Sequence, residues 1–142
     1  MNLTLIDAFR KFGALPKYRL RGLSAIAADG AMVLSCSEQH FGNPSRGVLR
    51  YEDKLSREPE DSKVIGLLGQ HLTLARDGAL PVRMVVAFRA DVQTTTRSYH
   101  VRPDLIGKIV MFDGDHFIID FTRLPEVGQA TGSKRRKSSR MS

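Results

Sequence analysis

Two Asp-Gly pairs that lie between strand-like runs constrain the fold of this 142-residue chain more than any other feature of its sequence. A two-residue type I′ turn needs positive φ at both central residues, so Asp-Gly between strand-like runs predicts a tight β-hairpin. The pairs are Asp29-Gly30 and Asp113-Gly114, and β-branched and aromatic residues flank both. With two-residue loops, the facing residues would be Ile26 and Val33, Ala25 and Leu34, Val110 and Phe117, and Ile109 and Ile118.

Two segments carry helical signals. Apolar residues at helical spacing predict a helix over residues 4–12, which Gly13 would end. A second helix is predicted over residues 59–76, because proline suits the first turn and acids favour the positive end of the dipole. Gly78 would end this helix, and two internal glycines would permit close packing on the sheet. These glycines are Gly66 and Gly69, and the predicted buried stripe is Val64, Leu68, His71, Leu72 and Ala75.

The remaining segments complete the prediction of an α+β fold. Further strands are expected at residues 48–51, 80–89 and 96–101, with residues 42–47 as a loop. A helix, three strands, a second helix and four strands do not alternate as in a doubly wound parallel sheet. We predict two helices packed on a twisted, mainly antiparallel sheet of about six or seven strands. They would cover one face or, if the sheet curls into a partly closed barrel, its ends.

Positive charge is concentrated near the C-terminus. Residues 127–142 hold five cations and no acid, whereas residues 1–126 hold 17 cations and 15 acids and carry only +2. We expect one globular α+β domain over residues 1–126 and a disordered basic tail over 127–142. The single cysteine, Cys36, fits a reducing, cytoplasmic compartment, and no apolar run is long enough for membrane insertion.

Two basic segments are candidates for nucleic-acid binding. In an extended conformation, alternate residues of 17–21 would project three cations from one face beside an aromatic ring. The cations of residues 134–140 could displace counterions from DNA or RNA. The predicted contacts are Lys17, Tyr18, Arg19, Arg21, Lys134, Arg135, Arg136, Lys137 and Arg140. The alternatives are a solvated edge strand for the first segment and a solubilising end or localisation signal for the second.

The sequence contains no recognisable catalytic, cofactor-binding or metal-binding motif. Its four histidines are scattered singly, without the spacing of metal ligands. His71 falls on the apolar face of the second helix and is predicted to be a satisfied core residue. His40, followed by Phe41 in a predicted loop, is the most plausible functional histidine. We therefore predict no cofactor and no metal, and we expect a protein that is not an enzyme.

One resemblance covers much of residues 5–122. The segments Phe9-Arg10-Lys11-Phe12-Gly13-Ala14 through Ser24-Ala25, and Val101-Arg102-Pro103-Asp104-Leu105-Ile106-Gly107-Lys108, resemble small uncharacterised proteins of bacteria and their mobile elements. That family often has tryptophans around the first strand, and this chain has none. The resemblance implies a bacterial or mobile-element setting and assigns no functional residue.

Three functional hypotheses follow from the sequence. The first is a non-enzymatic, nucleic-acid-associated accessory or regulatory protein, with DNA or RNA bound by a basic edge and the basic tail. Arg46, Arg50 and Arg57 could extend that edge. The second is a protein-interaction module that docks on an acidic partner or inhibits a host factor. The third is an enzyme whose site is assembled from distant residues, which a deep pocket with His40 or His100 beside a carboxylate would support.

Overall fold

The computed structural model describes residues 3–17, 23–57, 62–89 and 97–124. These residues form two α-helices, eight strands and two 3₁₀ turns. In chain order the elements are α1 (Leu5–Arg10), β1 (Ser24–Ile26), β2 (Met32–Ser37), a 3₁₀ turn (Glu38–His40), β3 (Phe41–Ser45), β4 (Val48–Lys54), a 3₁₀ turn (Leu55–Arg57), α2 (Ser62–Gly78), β5 (Val82–Arg89), β6 (Arg97–Val101), β7 (Leu105–Phe112) and β8 (His116–Arg123).

All eight strands belong to one sheet. The strand order is β1-β2-β5-β7-β8-β4-β3, and β6 also pairs with β5. The β2–β5 pair is parallel, and the other pairs are antiparallel. The predicted α+β class is therefore confirmed, and the sheet is open rather than closed into a barrel.

The eighth strand is β3, which lies where a loop was predicted. It pairs with β4 at the edge of the sheet, through Phe41 opposite Tyr51 and Gly42 opposite Arg50. Glycine and Pro44 are poor strand formers, and a proline cannot donate to a central ladder. Because β3 has one neighbour and is largely exposed, it tolerates both residues. The glycine and proline content of this segment is therefore typical of a loop, which is why the sequence did not predict the edge strand.

Both predicted hairpins form, but with different registers from those expected. In the first, Ile26 lies opposite Met32 instead of Val33. The N–H of Ala27 donates to the carbonyl oxygen of Ala31, which closes a three-residue loop. Gly30 alone in that loop has a positive φ, at 92°. A type I′ turn needs two such residues, so the loop takes one more residue and the pairing slips by one.

In the second hairpin, Phe117 lies opposite Phe112 instead of Val110. Gly114 and Asp115 are the two central residues of the turn. The side chain of Asp113 precedes them, and its Oδ1 accepts the backbone N–H groups of Asp115 (3.0 Å) and His116 (2.8 Å). Asp113 thus precedes the two-residue turn and hydrogen-bonds its backbone N–H groups through the side chain. The turn is therefore centred one residue later than the Asp-Gly pair predicts.

The helices cover opposite faces of the sheet, which corrects the expectation that they share one face or cap a barrel. Met32, Leu34 and Cys36 of β2 join the apolar cluster beneath α2, whereas the alternate residue Val33 joins the cluster beneath α1. This division follows the two-residue period of a strand. Four residues of the predicted α2 stripe are buried, namely Val64, Leu68, Leu72 and Ala75, whereas His71 is only partly buried. The buried residues of α1 are Leu5, Ala8 and Phe9.

The end of α2 differs in detail from the prediction. Gly78 is the last helical residue, and Ala79 adopts the left-handed conformation with φ of 52°. The N–H of Leu80 donates to the carbonyl oxygen of Ala75 at 3.0 Å, as in a Schellman motif. Gly66 does not pack on the sheet, because a Cβ added there would meet no atom within 4 Å. At Gly69, by contrast, an added Cβ would lie 3.4 Å from Leu55 Cδ1.

No helix in the described ranges is both long and apolar enough to span a bilayer.

Candidate binding pocket beside β4

Most of the predicted nucleic-acid contacts lie outside the described residues. Lys17 is described and exposed, immediately before a gap in the description. The other predicted contacts, Tyr18, Arg19, Arg21, Lys134, Arg135, Arg136, Lys137 and Arg140, fall on residues that the structure does not describe. Whether the cations of residues 17–21 share one face therefore stays a prediction.

The three arginines that could extend this basic edge are described, and two of them contact acids. Arg50 makes a bidentate contact with Asp120, with Nε–Oδ1 and Nη2–Oδ2 distances of 2.7 and 2.9 Å. Arg57 Nη1 lies 3.6 Å from Asp53 Oδ1. Arg46 is exposed in the β3–β4 turn. The hydrogen bond to Asp120 raises the pKa of Arg50, and the same bond lowers the pKa of Asp120.

An open pocket of about 560 Å³ lies beside the paired strands β3 and β4. It brings together aromatic rings, side-chain amides and cations from the first 3₁₀ turn, both strands and the second 3₁₀ turn. The lining residues are Gln39, His40, Phe41, Gly42, Asn43, Pro44, Arg50, Glu52 and Arg57. The chemical character of this wall is polar and aromatic, with both signs of charge.

A buried carboxylate lies behind two of the lining side chains. Asp53 is only 1% exposed. Its Oδ1 accepts the backbone N–H of Lys54 at 2.8 Å, and it lies 3.8 Å from His40 Nε2 and 3.6 Å from Arg57 Nη1. Its Oδ2 is buried without a hydrogen-bond partner among the residues described. A buried carboxylate oxygen without a donor costs free energy, so this atom calls for an explanation.

Aromatic rings flank the same region. The ring of Tyr51 lies 5.0 Å from that of Phe41 and 6.1 Å from that of His40, measured between centroids. The hydroxyl oxygen of Tyr51 accepts the backbone N–H of Ser37 at 3.0 Å, which fixes the ring between β2 and β4. This buried tyrosine holds two rings of the pocket wall in place.

The alternation of β4 explains why an acid is buried here. Leu49 and Tyr51 face the apolar cluster beneath α2, and Asp53 shares their side of the strand by the two-residue period. The intervening residues Arg50 and Glu52 line the pocket. Sequence reasoning missed Asp53, although an acid on the apolar side of a strand was a usable signal.

The four histidines lie in different environments, and His40 is the one that lines this pocket. The enzyme hypothesis required a deep pocket with His40 or His100 beside a carboxylate. His40 does lie in a pocket and beside the buried Asp53, but the pocket is open rather than deep. His71 is half-buried, bonds the Ser24 hydroxyl through Nδ1 at 2.7 Å, and has a pKa lowered by burial. His116 Nε2 contacts Glu52 at 2.6 Å near the surface, and the ring of His100 packs against Phe88.

The described part of the chain contains no group of three or more histidine, cysteine or acidic side chains that could hold a metal ion. The pocket offers instead hydrogen-bond acceptors, cations and aromatic faces. These groups suit noncovalent recognition of a flat, polar ligand with negative charge at one side.

Comparisons with known proteins assign no family. The sequence matches no family model and no curated protein. Two solved structures align weakly with this chain: "crystal structure of KRYPTONITE in complex with mCHG DNA and SAH" and "crystal structure of KRYPTONITE in complex with mCHH DNA, H3(1-15) peptide and SAH". Each has a TM-score of 0.38, with 16% and 15% identity. The match covers 89% of this chain but only 28% and 27% of theirs, and at this level it assigns no function.

Proposed function

We propose that this protein is a non-enzymatic, nucleic-acid-associated accessory or regulatory factor, and that the pocket beside β4 takes one exposed nucleotide. The observation that carries the proposal is the unpartnered, buried Oδ2 of Asp53 behind a pocket with aromatic and cationic walls. The resemblance to mobile-element proteins favours a plasmid or phage setting.

A nucleotide complements each chemical group of this pocket. Bases carry N–H donors on their edges and a flat π-face, and an unstacked base binds by stacking on aromatic rings and by hydrogen bonds to its edges. Phe41 and His40 supply rings, and Asp53 supplies an acceptor without a donor. The guanidinium of Arg57 suits the phosphate. These roles require binding energy alone and no bond-breaking step.

Access to the buried oxygen requires a small movement, and the contacts permit one. The 3.8 Å and 3.6 Å separations of His40 and Arg57 from Asp53 are longer than hydrogen bonds. Neither side chain is therefore held firmly by the carboxylate. An incoming N–H donor replaces these weak contacts with a charge-assisted hydrogen bond, which is about twice as strong as a neutral one.

The basic segments add affinity that does not depend on sequence. The five cations of residues 134–140, together with those of residues 17–21, would neutralise phosphates and release counterions. This contribution weakens steeply as salt increases, whereas contacts to a base in the pocket weaken much less. Salt dependence therefore separates the two contributions.

The test is oligonucleotide binding at two salt concentrations. Single-stranded and duplex DNA and RNA are titrated with the wild type, with Asp53→Asn, and with a variant that has glutamine at all five cationic positions of 134–140. Asp29→Asn is the matched control, because Asp29 also accepts a backbone N–H but lies in the β1–β2 turn. We expect Asp53→Asn to weaken binding at least about ten-fold, equivalent to about 1.4 kcal/mol, and the control to leave it unchanged.

Equal, negligible binding by the wild type and by the tail-neutralised variant would reject nucleic-acid association. Equal affinity of the wild type and Asp53→Asn would reject the pocket as the site while leaving association by the basic segments in place. Wild-type binding that is weakened by the tail variant at low salt and by Asp53→Asn at both salt concentrations supports the whole proposal.

A protein-interaction module is the second candidate function, and an apolar groove beside α2 favours it. Leu74 on α2 is 55% exposed. Leu74 lines a groove of about 590 Å³ with Gly69, Gln70, Thr73, Phe112 and Gly114. A partner that stays bound after nuclease treatment and in high salt, and that Leu74→Asp releases, would favour this function over nucleic-acid association.

A further inference from the structure

The outer face of α2 carries an exposed leucine on an uncharged stripe. Among the residues that the structure describes, Leu74 is the most exposed large apolar side chain, at 55%. The residues four and eight positions before it, Gln70 and Gly66, share its face of the helix and are also exposed. We call Gly66, Gln70 and Leu74 the outer stripe of α2. It lacks the charges that usually cover the solvent face of a surface helix.

The apolar groove of about 590 Å³ lies directly beside this leucine. Its lining includes Thr73 and Leu74 of α2 together with Phe112 and Gly114. Arg76 lies against the same phenylalanine, because its guanidinium is 5.7 Å from the centroid of the Phe112 ring and its Nη1 donates to the Phe112 carbonyl oxygen at 2.9 Å. The surface thus combines a protruding apolar side chain with a formed apolar recess. An interface between identical copies needs both features on one patch, since each copy supplies the same surface.

Gly66 leaves space on the outer stripe for a side chain from another molecule. A Cβ added at this position would meet no atom within 4 Å. A glycine within a helix is destabilising relative to alanine, and contact with the sheet does not explain this one. Glycine does allow a second chain to approach the helix backbone closely. The stripe therefore has an apolar projection at Leu74 and an open position two turns away.

Opposite charges lie at equal distances from the middle of the outer stripe. Lys63 is seven residues before Gln70 and Asp77 is seven residues after it, and both are exposed. Two α2 helices that cross in antiparallel fashion about a twofold axis at Gln70 therefore bring each Lys63 towards Asp77 of the second copy. Asp77 Oδ1 already accepts a hydrogen bond from Arg76 at 2.9 Å, but an ionised carboxylate can accept several donors. The charges of α2 are thus complementary to those of a second, antiparallel α2.

We propose that the outer face of α2 is the interface of a twofold-symmetric dimer with a second copy of this chain. The axis at Gln70 also places each Leu74 over Gly66 of the second copy, because these residues lie four positions on either side of Gln70. One helix and one groove from each copy form a small contact, so we expect a dimer of about micromolar affinity that dissociates on dilution. This inference goes beyond the proposed function, since the pocket beside β4 and the α2 groove share no lining residue.

The experiment is sedimentation equilibrium of the purified full chain over a range of protein concentrations. Nuclease treatment and high salt prevent nucleic acid from bridging two copies. Leu74→Asp places a charge in the apolar contact of both copies and should weaken dimerisation at least about 30-fold. Leu15→Asp is the matched control, because Leu15 is 53% exposed but lies after α1, outside α2 and its groove. The control should leave dimerisation unchanged, and thermal unfolding verifies that both variants fold.

An exchange of charges tests the antiparallel arrangement. Lys63→Glu and Asp77→Lys each replace two attractive contacts of the dimer by two repulsive ones, and each should weaken dimerisation about ten-fold. Both changes place a favourable charge at their end of the helix dipole, so neither should destabilise the folded chain. The double variant Lys63→Glu/Asp77→Lys restores opposite charges at both contacts. Its dimer affinity should return to within about three-fold of the wild type.

Three results would overturn the inference. The first is a wild-type chain that stays monomeric at every concentration, including one that is monomeric when pure but holds a different protein on this face. The second is a dimer that Leu74→Asp weakens no more than Leu15→Asp does. The third is a double charge variant that dimerises no better than the two single variants, because the helices would then not cross in the antiparallel arrangement.

Discussion

The two ends of the sheet treat buried polar groups in opposite ways. Where α2 crosses β1, the buried Ser24 hydroxyl is hydrogen-bonded to Nδ1 of His71 at 2.7 Å. Beside β3 and β4, Asp53 is equally buried but keeps one carboxylate oxygen without a partner in the described structure. The first arrangement closes the core, and the second leaves an acceptor for a ligand to use.

This difference matters because an unsatisfied buried acceptor costs free energy of about 1 to 3 kcal/mol, more when it is charged. Apolar side chains of similar size fill the rest of the core beneath α2 without that cost. A chain that retains Asp53 there is expected to gain something else from it, which is the reason for placing the functional site at this end. The predictions that follow test whether one end is optimised for stability and the other for binding.

The largest effect is expected from Gly107→Ala, on β7 in the middle of the sheet, where the core is filled. Gly107 lies opposite Phe121, and an added Cβ would come within 2.6 Å of Cε1 in that fully buried ring and 3.1 Å of Ile119 Cγ2. We expect a loss of about 3 kcal/mol in the free energy of unfolding, measured by urea denaturation. Gly66→Ala is the control, because its Cβ would meet open space, and it should stabilise the protein by about 1 kcal/mol. Equal effects at the two glycines would mean that the β7–β8 core is loosely packed.

The second prediction concerns Asp53, at the β3–β4 end of the sheet. Asp53→Asn keeps the acceptor for the N–H of Lys54 but removes a buried negative charge, and Arg57 is exposed enough to be solvated without it. We expect the free energy of unfolding to rise by about 1 kcal/mol while nucleic-acid affinity falls. Urea denaturation and oligonucleotide titration of the same sample measure both. A stability loss above about 1 kcal/mol would show that Asp53 holds the fold together, and the contrast between the two ends would fail.

The third prediction uses pH to probe the satisfied pair. Burial lowers the pKa of His71, so the unfolded chain binds this proton more tightly than the folded protein does. The stability that neutral His71 provides is therefore complete above the unfolded pKa of about 6.5 and is lost as pH falls below it. The slope cannot exceed about 1.4 kcal/mol per pH unit for one proton. Between pH 8 and pH 5, the free energy of unfolding should fall more for the wild type than for His71→Gln. Equal losses would show that His71 does not contribute to the pH dependence of stability.

The sequence predicts the filled core of the molecule better than it predicts the region around the pocket. The stripe of α2 and the strands of β7 and β8 follow from simple periodicity, because apolar residues there do nothing except fill the core. The edge strand β3 was missed because Gly42 and Pro44 are tolerated only where one side lacks a neighbour. Asp53 was missed because the predicted strand ended at residue 51, whereas β4 continues to Lys54 and its alternation buries Asp53. Its burial depends on the 3₁₀ turn that brings His40 over it, a tertiary contact that no local pattern encodes.

Side chains that accept backbone N–H groups explain the wrong hairpin registers. Asp29 accepts the N–H of Ala31, and Asp113 accepts two N–H groups of its turn. In both hairpins the aspartate stabilises the turn through its side chain instead of adopting a positive φ itself. The Asp-Gly signal therefore identifies the turn correctly but misplaces its centre.

The smallest effect is expected at the end of α2, where sequence and structure differ by one residue. Ala79 has the left-handed conformation that Gly78 was predicted to supply, and it is the one non-glycine residue with positive φ in the described segments. We expect Ala79→Gly to raise the free energy of unfolding by about 0.5 kcal/mol, because relief of strain is partly offset by the greater freedom of glycine in the unfolded chain. Gly78→Ala should add a similar gain, since its Cβ would make an ordinary 3.6 Å contact with Leu80 Cδ2. Denaturation of both variants and of the double exchange measures these gains, and oligonucleotide binding should not change in any of them. A binding change would mean that the end of α2 is coupled to the pocket beside β4, and stability and recognition would then not be separable between the two ends of the sheet.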